Sequence, residues 1–140
     1  MFLLDTNVLS ELRKIKINKA DQRVVDFIDA VDAEELCISA ITIFEIEMGI
    51  LKIDKQRPDE AAMLSEWMSH DILPFFDTRI LALDHRSAKI FAHLMHPRTR
   101  PYRDAMIAAT AMAHGCTIVT RNIRDFQDLP LPLIDPWLPR

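Results

Sequence analysis

Hydrophobic positions along this chain alternate between short apolar runs and stretches with helical spacing. The runs at Phe2–Leu4, Leu36–Ser39, 80–83, 117–120 and 131–134 are too short for helices and read as strands. Between them, Val24, Phe27, Ile28 and Val31 fall on one face of a helix over 20–31. Leu64, Trp67, Met68 and Ile72 do the same for a helix beginning at Pro58 and running to about 71. The remaining helices are expected over 8–13 after the capping residues Asp5, Thr6 and Asn7, and over 41–53, 85–95 and 102–114. Gly115 is placed to stop the last of these. Strands alternating with helices predict an α/β protein, a mostly parallel sheet of four to five strands covered by helices on both faces. In such sheets, sites form at the carboxyl ends of the strands, where strand order reverses.

The length of 140 residues suits a single domain spanning 1–140, and 49% apolar with 27% charged residues is globular composition. With only Gly49 and Gly115, the chain has no glycine-rich loop whose amides close on a phosphate. Phosphate handling would therefore fall to side chains or metal ions. Cys37 and Cys116 form no CxxC pair and sit in apolar runs, so both are expected as buried free thiols. Asp5 interrupts the first apolar run, and no stretch approaches the roughly 20 apolar residues that span a bilayer. A soluble, cytoplasmic protein with no membrane partner is expected.

Three acids stand in apolar company. Asp104 shares a helical face with Ile107, Ala108, Ala111 and Met112. Glu45 shares one with Ile41, Phe44 and Met48, and Asp5 directly follows a buried strand. Each has an ordinary alternative: Asp5 as a helix cap, Glu45 as the partner of an arginine, Asp104 as an anion favoured in a first helical turn. Their common location at one sheet edge argues for a joint role. Two carboxylates about 4 Å apart repel by about 4 kcal/mol at an effective dielectric near 20, which a hard divalent cation offsets. Such a cation can also clamp a phosphodiester. His93 and His96 form an H-x-x-H pair, but no acid shares their face, and an ordinary helix end explains them.

Four blocks in this order, LLDTNVLSEL, ISAITIFEIEMGI, DAMIAATAMAHG and IVTRNIRDF, together with the LIDPW ending, carry a resemblance. They are similar to the PIN-domain ribonucleases and, within them, to the VapC/FitB-like toxins of type II toxin–antitoxin pairs. The resemblance covers nearly the whole chain. It implies a three-layer α/β/α fold and endonucleolytic hydrolysis of RNA with Mg²⁺ or Mn²⁺ held by acidic residues. Asp5, Glu45 and Asp104 match the metal-site acids. A fourth acid stands directly after the T-R pair in some members, where this chain has Asn122, and three residues later in others, where it has Asp125. Asp125 is included in the catalytic set, although it also suits the cap of a short helix. Asn7, Thr120 and Asn122 match polar positions beside the acids. The resemblance further implies a DNA-binding antitoxin of the VapB/FitA-like kind as partner, and a homodimer.

A net charge of −4 argues against a general basic coat for RNA, but the cations are clustered. Arg13, Lys14, Lys16 and Lys19 form one run free of acids, and Arg98, Arg100 and Arg103 another. Arg121 and Arg124 flank Asn122. The five arginines bordering Asp104 and Asn122 are candidate phosphate contacts. Tyr102 suits packing better than base stacking. Competing readings remain: a PIN-fold binding module with little nuclease activity, favoured by Asn122, and a phosphatase of the haloacid-dehalogenase type. The second wants an acid two residues after Asp5, where Asn7 stands. A phospho-acceptor receiver domain leaves Glu45 and Asp104 without a role.

Overall fold

The computed structural model describes residues 1–139. Its strands are β1 (Phe2–Leu4), β2 (Leu36–Ser39), β3 (Ile80–Leu81), β4 (Thr117–Val119) and β5 (Leu133–Ile134). They form one sheet in the order β3-β2-β1-β4-β5, with every pair parallel. The helices are α1 (Thr6–Arg13), α2 (Gln22–Asp29), α3 (Ala40–Ile53), α4 (Pro58–Trp67), α5 (Leu73–Phe76), α6 (His85–Met95) and α7 (Tyr102–Ala113).

Alternation along the strands divides the core into two layers. Leu4, Leu36, Ile38 and Val119 point to one face and meet Val8, Leu9, Val24, Phe27, Ile46, Ile50 and Met68. Leu3, Cys37 and Ile118 point to the other and meet Ile107, Ala108 and Ala111 of α7. Consecutive leucines therefore feed opposite cores, and the sheet is buried on both sides. This is the three-layer α/β/α arrangement. Cys37 and Cys116 are buried free thiols in the second core, with sulfurs 3.9 Å apart.

Element boundaries shift modestly from those expected. The second helix is shorter, Gln22–Asp29 rather than 20–31, because Asp21 accepts from Arg23 N at 2.9 Å and caps it there. The third strand ends at Leu81 rather than 83. The helix expected to stop near 71 continues through a π-helical turn at Met68–Ile72 into α5, with Pro74 in its first turn. That proline needs no amide partner at a helix start, so it does not break the rod. Gly115 adopts φ +65, and Cys116 N reaches back to Ala111 O at 2.9 Å, which closes α7.

The sheet order places β1 at the reversal point: β2 and β3 lie to one side, β4 and β5 to the other. The crevice between the ends of β1 and β4 is where a parallel sheet opens to a ligand. Asp5 and Thr120 are the residues that follow those two strands.

Candidate active site

Asp5 is anchored from three directions. Its backbone N–H still belongs to the sheet, donating to Val119 O at 2.9 Å. One carboxylate oxygen accepts from Thr6 N at 2.8 Å and caps α1. The other accepts from the Thr120 hydroxyl at 2.8 Å and from Asn7 Nδ2 at 3.3 Å. The cap and the joint site role raised by the sequence are therefore compatible in one residue. Asp5 is only 7% exposed, and that burial raises its pKa against the hydrogen bonds from Thr120 and Thr6.

The supports are themselves tied together. Thr120 Oγ1 also accepts from Asn122 N at 3.0 Å, and Asn7 Oδ1 accepts from Arg121 N at 3.1 Å. Asn7, on α1, thereby fixes the loop after β4 to the loop after β1. The Asn122 side chain makes no cap bond and faces the cavity.

Glu45 reaches the site from α3. Its Oε1 accepts from the Thr6 hydroxyl at 2.8 Å, and its Oε2 lies 3.7 Å from Arg103 Nη1. The apolar company of Glu45 is only partly core, which differs from the expectation: Ile41 packs against the second core, but Phe44 does not. The buried face of α3 is Thr42, Ile46 and Ile50, whereas Phe44 is 47% exposed. An apolar helix with weak amphipathicity does not reveal which face turns inward, and here the Glu45 face turns to the cavity and to solvent.

Asp104 sits in the first turn of α7. Its pKa is pushed up to about 6 by burial first, then by the negative charges of Asp125, Asp5 and Glu45, with Arg103 opposing. Asp125 is exposed in a short 3₁₀ turn, Ile123–Asp125, yet its charge raises both Asp104 and Asp5. Four acids thus share one electrostatic field. Asp5, Glu45 and Asp104 line a cavity of about 400 Å³ with Asn7, Arg121 and Asn122. Asp125 borders the adjoining depression, which it shares with Asp104, Arg98, Arg100 and Arg124.

Among the described residues, no three His, Cys, Asp or Glu side chains close into a ready-made metal cage. The acids instead stand around an open cavity. Hard oxygen donors gathered where burial, and then their mutual repulsion, lift Asp104 fit a small divalent cation that keeps several waters.

The arginines differ in their engagements. Arg98 and Arg100 both contact Asp128 Oδ2, at 2.9 and 2.8 Å, and Arg100 Nε also donates to Leu94 O at 3.0 Å. Arg103 approaches Glu45 and lies over the Phe44 ring. Arg121 lies over the Trp137 ring, 5.0 Å from its centroid. Arg124 is exposed beside Asp125. Tyr102 is exposed, edge-on to Phe91 at 5.9 Å. His93 is turned to Lys89 O at 2.9 Å, as an ordinary helical histidine.

Sequence reasoning missed Thr6, Ser10, Glu11 and Lys14, which also line the cavity. Residues 7, 10, 11 and 14 follow i, i+3, i+4, i+7 spacing, so a polar stripe along α1 was the available signal. Glu11, buried, pairs with Lys14 Nζ at 3.1 Å and accepts from Asp21 N at 2.9 Å.

A family model described as the PIN domain matches residues 2–130. The toxin FitB of Neisseria gonorrhoeae is 34% identical over 98% of this chain and 99% of its own length. A VapC ribonuclease of Sinorhizobium fredii is 33% identical over 99% of each chain. The crystal structure of FitAcB from Neisseria gonorrhoeae superposes with a TM-score of 0.84 at 33% identity, covering 98% of this chain and 99% of that one. A toxin–antitoxin complex from Klebsiella pneumoniae superposes with a TM-score of 0.66 at 25% identity, covering 97% and 98% of the two chains.

Proposed function

The chain belongs to the PIN-domain family, and we infer that it is the toxin of a toxin–antitoxin pair, an endoribonuclease that hydrolyses RNA phosphodiester bonds with Mg²⁺ or Mn²⁺. The observation that carries this reading is the joint placement of Asp5, Glu45 and Asp104 on one cavity at the sheet's reversal point. The relatives named as a VapC ribonuclease and as a toxin support the activity and the role, and the toxin–antitoxin complex supports a protein antitoxin as partner.

In this reading Asp5, Asp104 and Glu45 would hold the cation. When bound, the cation supplies Lewis-acid stabilisation of the phosphoryl oxygens and a more acidic water. The residues of the chain do the rest. Thr120, Asn7 and the Thr6 amide fix the Asp5 carboxylate, so its orientation costs nothing at the moment of reaction. The Thr6 hydroxyl on one oxygen and Arg103 on the other hold Glu45 at the cavity. Asp104, whose pKa is raised first by burial and then by the neighbouring acids, is the carboxylate that would gain most from the charge of a bound cation. Asp125 adds negative charge, and Asn122 presents its amide without charge.

The cations that border the cavity would meet the flanking phosphates. Arg121, Arg124 and the outer side of Arg98 are free for that, whereas Arg100 is committed to Asp128 and Leu94 O. Among the described residues, no helix is long and apolar enough to cross a membrane. The cytoplasm is the compartment in which such a protein would meet both RNA and antitoxin.

The test is incubation of purified protein with total RNA and Mg²⁺ or Mn²⁺, beside Asp5→Asn. Cleavage by the wild type that is lost on chelation and in the variant is the expected result. RNA binding without cleavage would favour the binding-module reading instead.

A further inference from the structure

Trp137 lies beyond the segment matched by the family model, yet its ring reaches the cavity wall beside Arg121. Three features fix it there. β5 pairs with β4, with Thr120 N donating to Ile134 O at 2.9 Å, so the segment after β5 returns beside the segment after β4. The turn that follows is tied by Trp137 N donating to Asp135 Oδ1 at 2.9 Å. The indole itself is 7% exposed and packs into the first core with Leu4 and Val8. It is a rigid surface rather than a mobile side chain.

Arg121 is exposed and makes no ion pair among the described residues. Its backbone is registered to the acids through Asn7 Oδ1. The nearby Asp21 is already engaged by Arg23 at 3.1 Å. A long flexible cation on the rim of the cavity that Asp5, Glu45 and Asp104 line would be drawn toward them, as Arg103 is drawn to Glu45. The indole face offers a competing seat, since a guanidinium is attracted to the ring and is weakly hydrated.

We propose that Trp137 is a positioning residue: its indole holds the Arg121 guanidinium at the cavity rim, away from the acids, as the contact for an RNA phosphate next to the scissile one. This rests on the ribonuclease reading for the identity of the ligand. The arrangement separates two demands of opposite sign. The acids stay open for a cation, and a fixed positive charge stands where the substrate backbone must pass.

The experiment is a double-mutant cycle on binding of a short fluorescein-labelled single-stranded RNA of mixed sequence, read by anisotropy in EDTA so that cleavage is suppressed. Arg121→Ala should weaken binding about tenfold and reduce the salt slope by about 0.7, the value for one phosphate contact on a single strand. Trp137→Leu should produce a similar loss, and the double variant should be no weaker than either single one. Trp137→Phe, which keeps a ring under the guanidinium, should fall between wild type and Trp137→Leu. Additive losses, or no loss in Arg121→Ala, would overturn the proposal. If Trp137→Leu fails to fold, the emission of Trp137 in a Trp67→Phe background replaces it. A change of emission on adding the RNA that disappears in Arg121→Ala is expected, and emission indifferent to RNA would overturn the proposal. A wild type that binds in this way but never cleaves would defeat the nuclease reading and leave only the Trp137-held Arg121 as a contact to the RNA backbone.

Discussion

The Asp5 wall and the arginine rim border the same cavity but are held by opposite means. Around Asp5, the supports are short in reach and buried or half-buried: a sheet amide, a capped helix start, the Asn7 amide, and the hydroxyl of Thr120, which is itself fully buried. Around the rim, the exposed cations reach across loops to whatever partner is near: Asp128 for Arg98 and Glu45 for Arg103. The first kind of arrangement has one geometry, because breaking it would strand buried polar groups. The second kind can exchange partners cheaply, because exposed ion pairs contribute only about 0–1 kcal/mol. A nuclease needs both, fixed carboxylates for chemistry and adaptable cations for a flexible substrate.

The sharpest way to break this contrast is on the fixed side. Asp5→Asn keeps an oxygen for the Thr6 amide, so the fold should survive while cleavage falls by roughly a hundredfold or more, measured with Mn²⁺ on a labelled RNA. A variant with wild-type cleavage would remove Asp5 from the chemistry.

Next come the residues that only orient. Thr120→Val removes the bond to Asp5 and leaves Asn122 N without its acceptor. The Mn²⁺ concentration for half-maximal cleavage should rise about 10- to 100-fold. Thr6→Val frees Glu45 and should act in the same direction, more weakly. An unchanged metal requirement in both would mean that the carboxylates orient themselves.

Asp104 offers a test through stability. Its pKa of about 6 means the folded protein holds that proton more tightly than the unfolded chain does. The metal-free protein therefore loses stability as pH rises from the ordinary carboxylate range through about 6. Asp104→Asn removes that loss, so its melting temperature should exceed the wild type's by a few degrees at pH 7 and by less at pH 4.5. A wild type whose stability does not fall across this window would show that neither burial nor the neighbouring acids disfavour the Asp104 charge.

The smallest effects belong to the rim. Arg100→Ala should cost about 1–2 kcal/mol of stability, because its half-buried guanidinium ties Leu94 O and Asp128 together. Arg98→Ala, exposed, should cost almost none and reduce RNA binding by only a few-fold. Equal effects of the two on stability would erase the distinction drawn between them.

This contrast also governs what the sequence made legible. The alternation of strand and helix patterns led to the parallel sheet, and the sheet led to its reversal point. Asp5 and Asp104 stood out because an acid in an apolar setting demands a partner. Glu45 was reached by the same reasoning for a partly mistaken reason. Periodicity cannot orient a helix as evenly apolar as α3, and its Phe44 side turned outward. The continuation of α4 into α5 was missed because Pro74 reads as a breaker until its place in a first turn is known. The partners of the arginines were illegible altogether. Which of two exposed loops meets Asp128 is decided by tertiary approach, across the 30 residues that separate it from Arg98. Trp137 read as part of a chain ending, and only the pairing of β5 with β4 brings it beside Arg121.

The central claim, that Asp5, Glu45 and Asp104 form one divalent-cation site, is tested most directly by titrating Mn²⁺ into the wild-type protein and Asp5→Asn and reading free Mn²⁺ by electron paramagnetic resonance. The account predicts uptake by the wild type that is weakened at least tenfold in the variant and competed by Mg²⁺. Equal uptake by the two proteins, or none by the wild type, would contradict it.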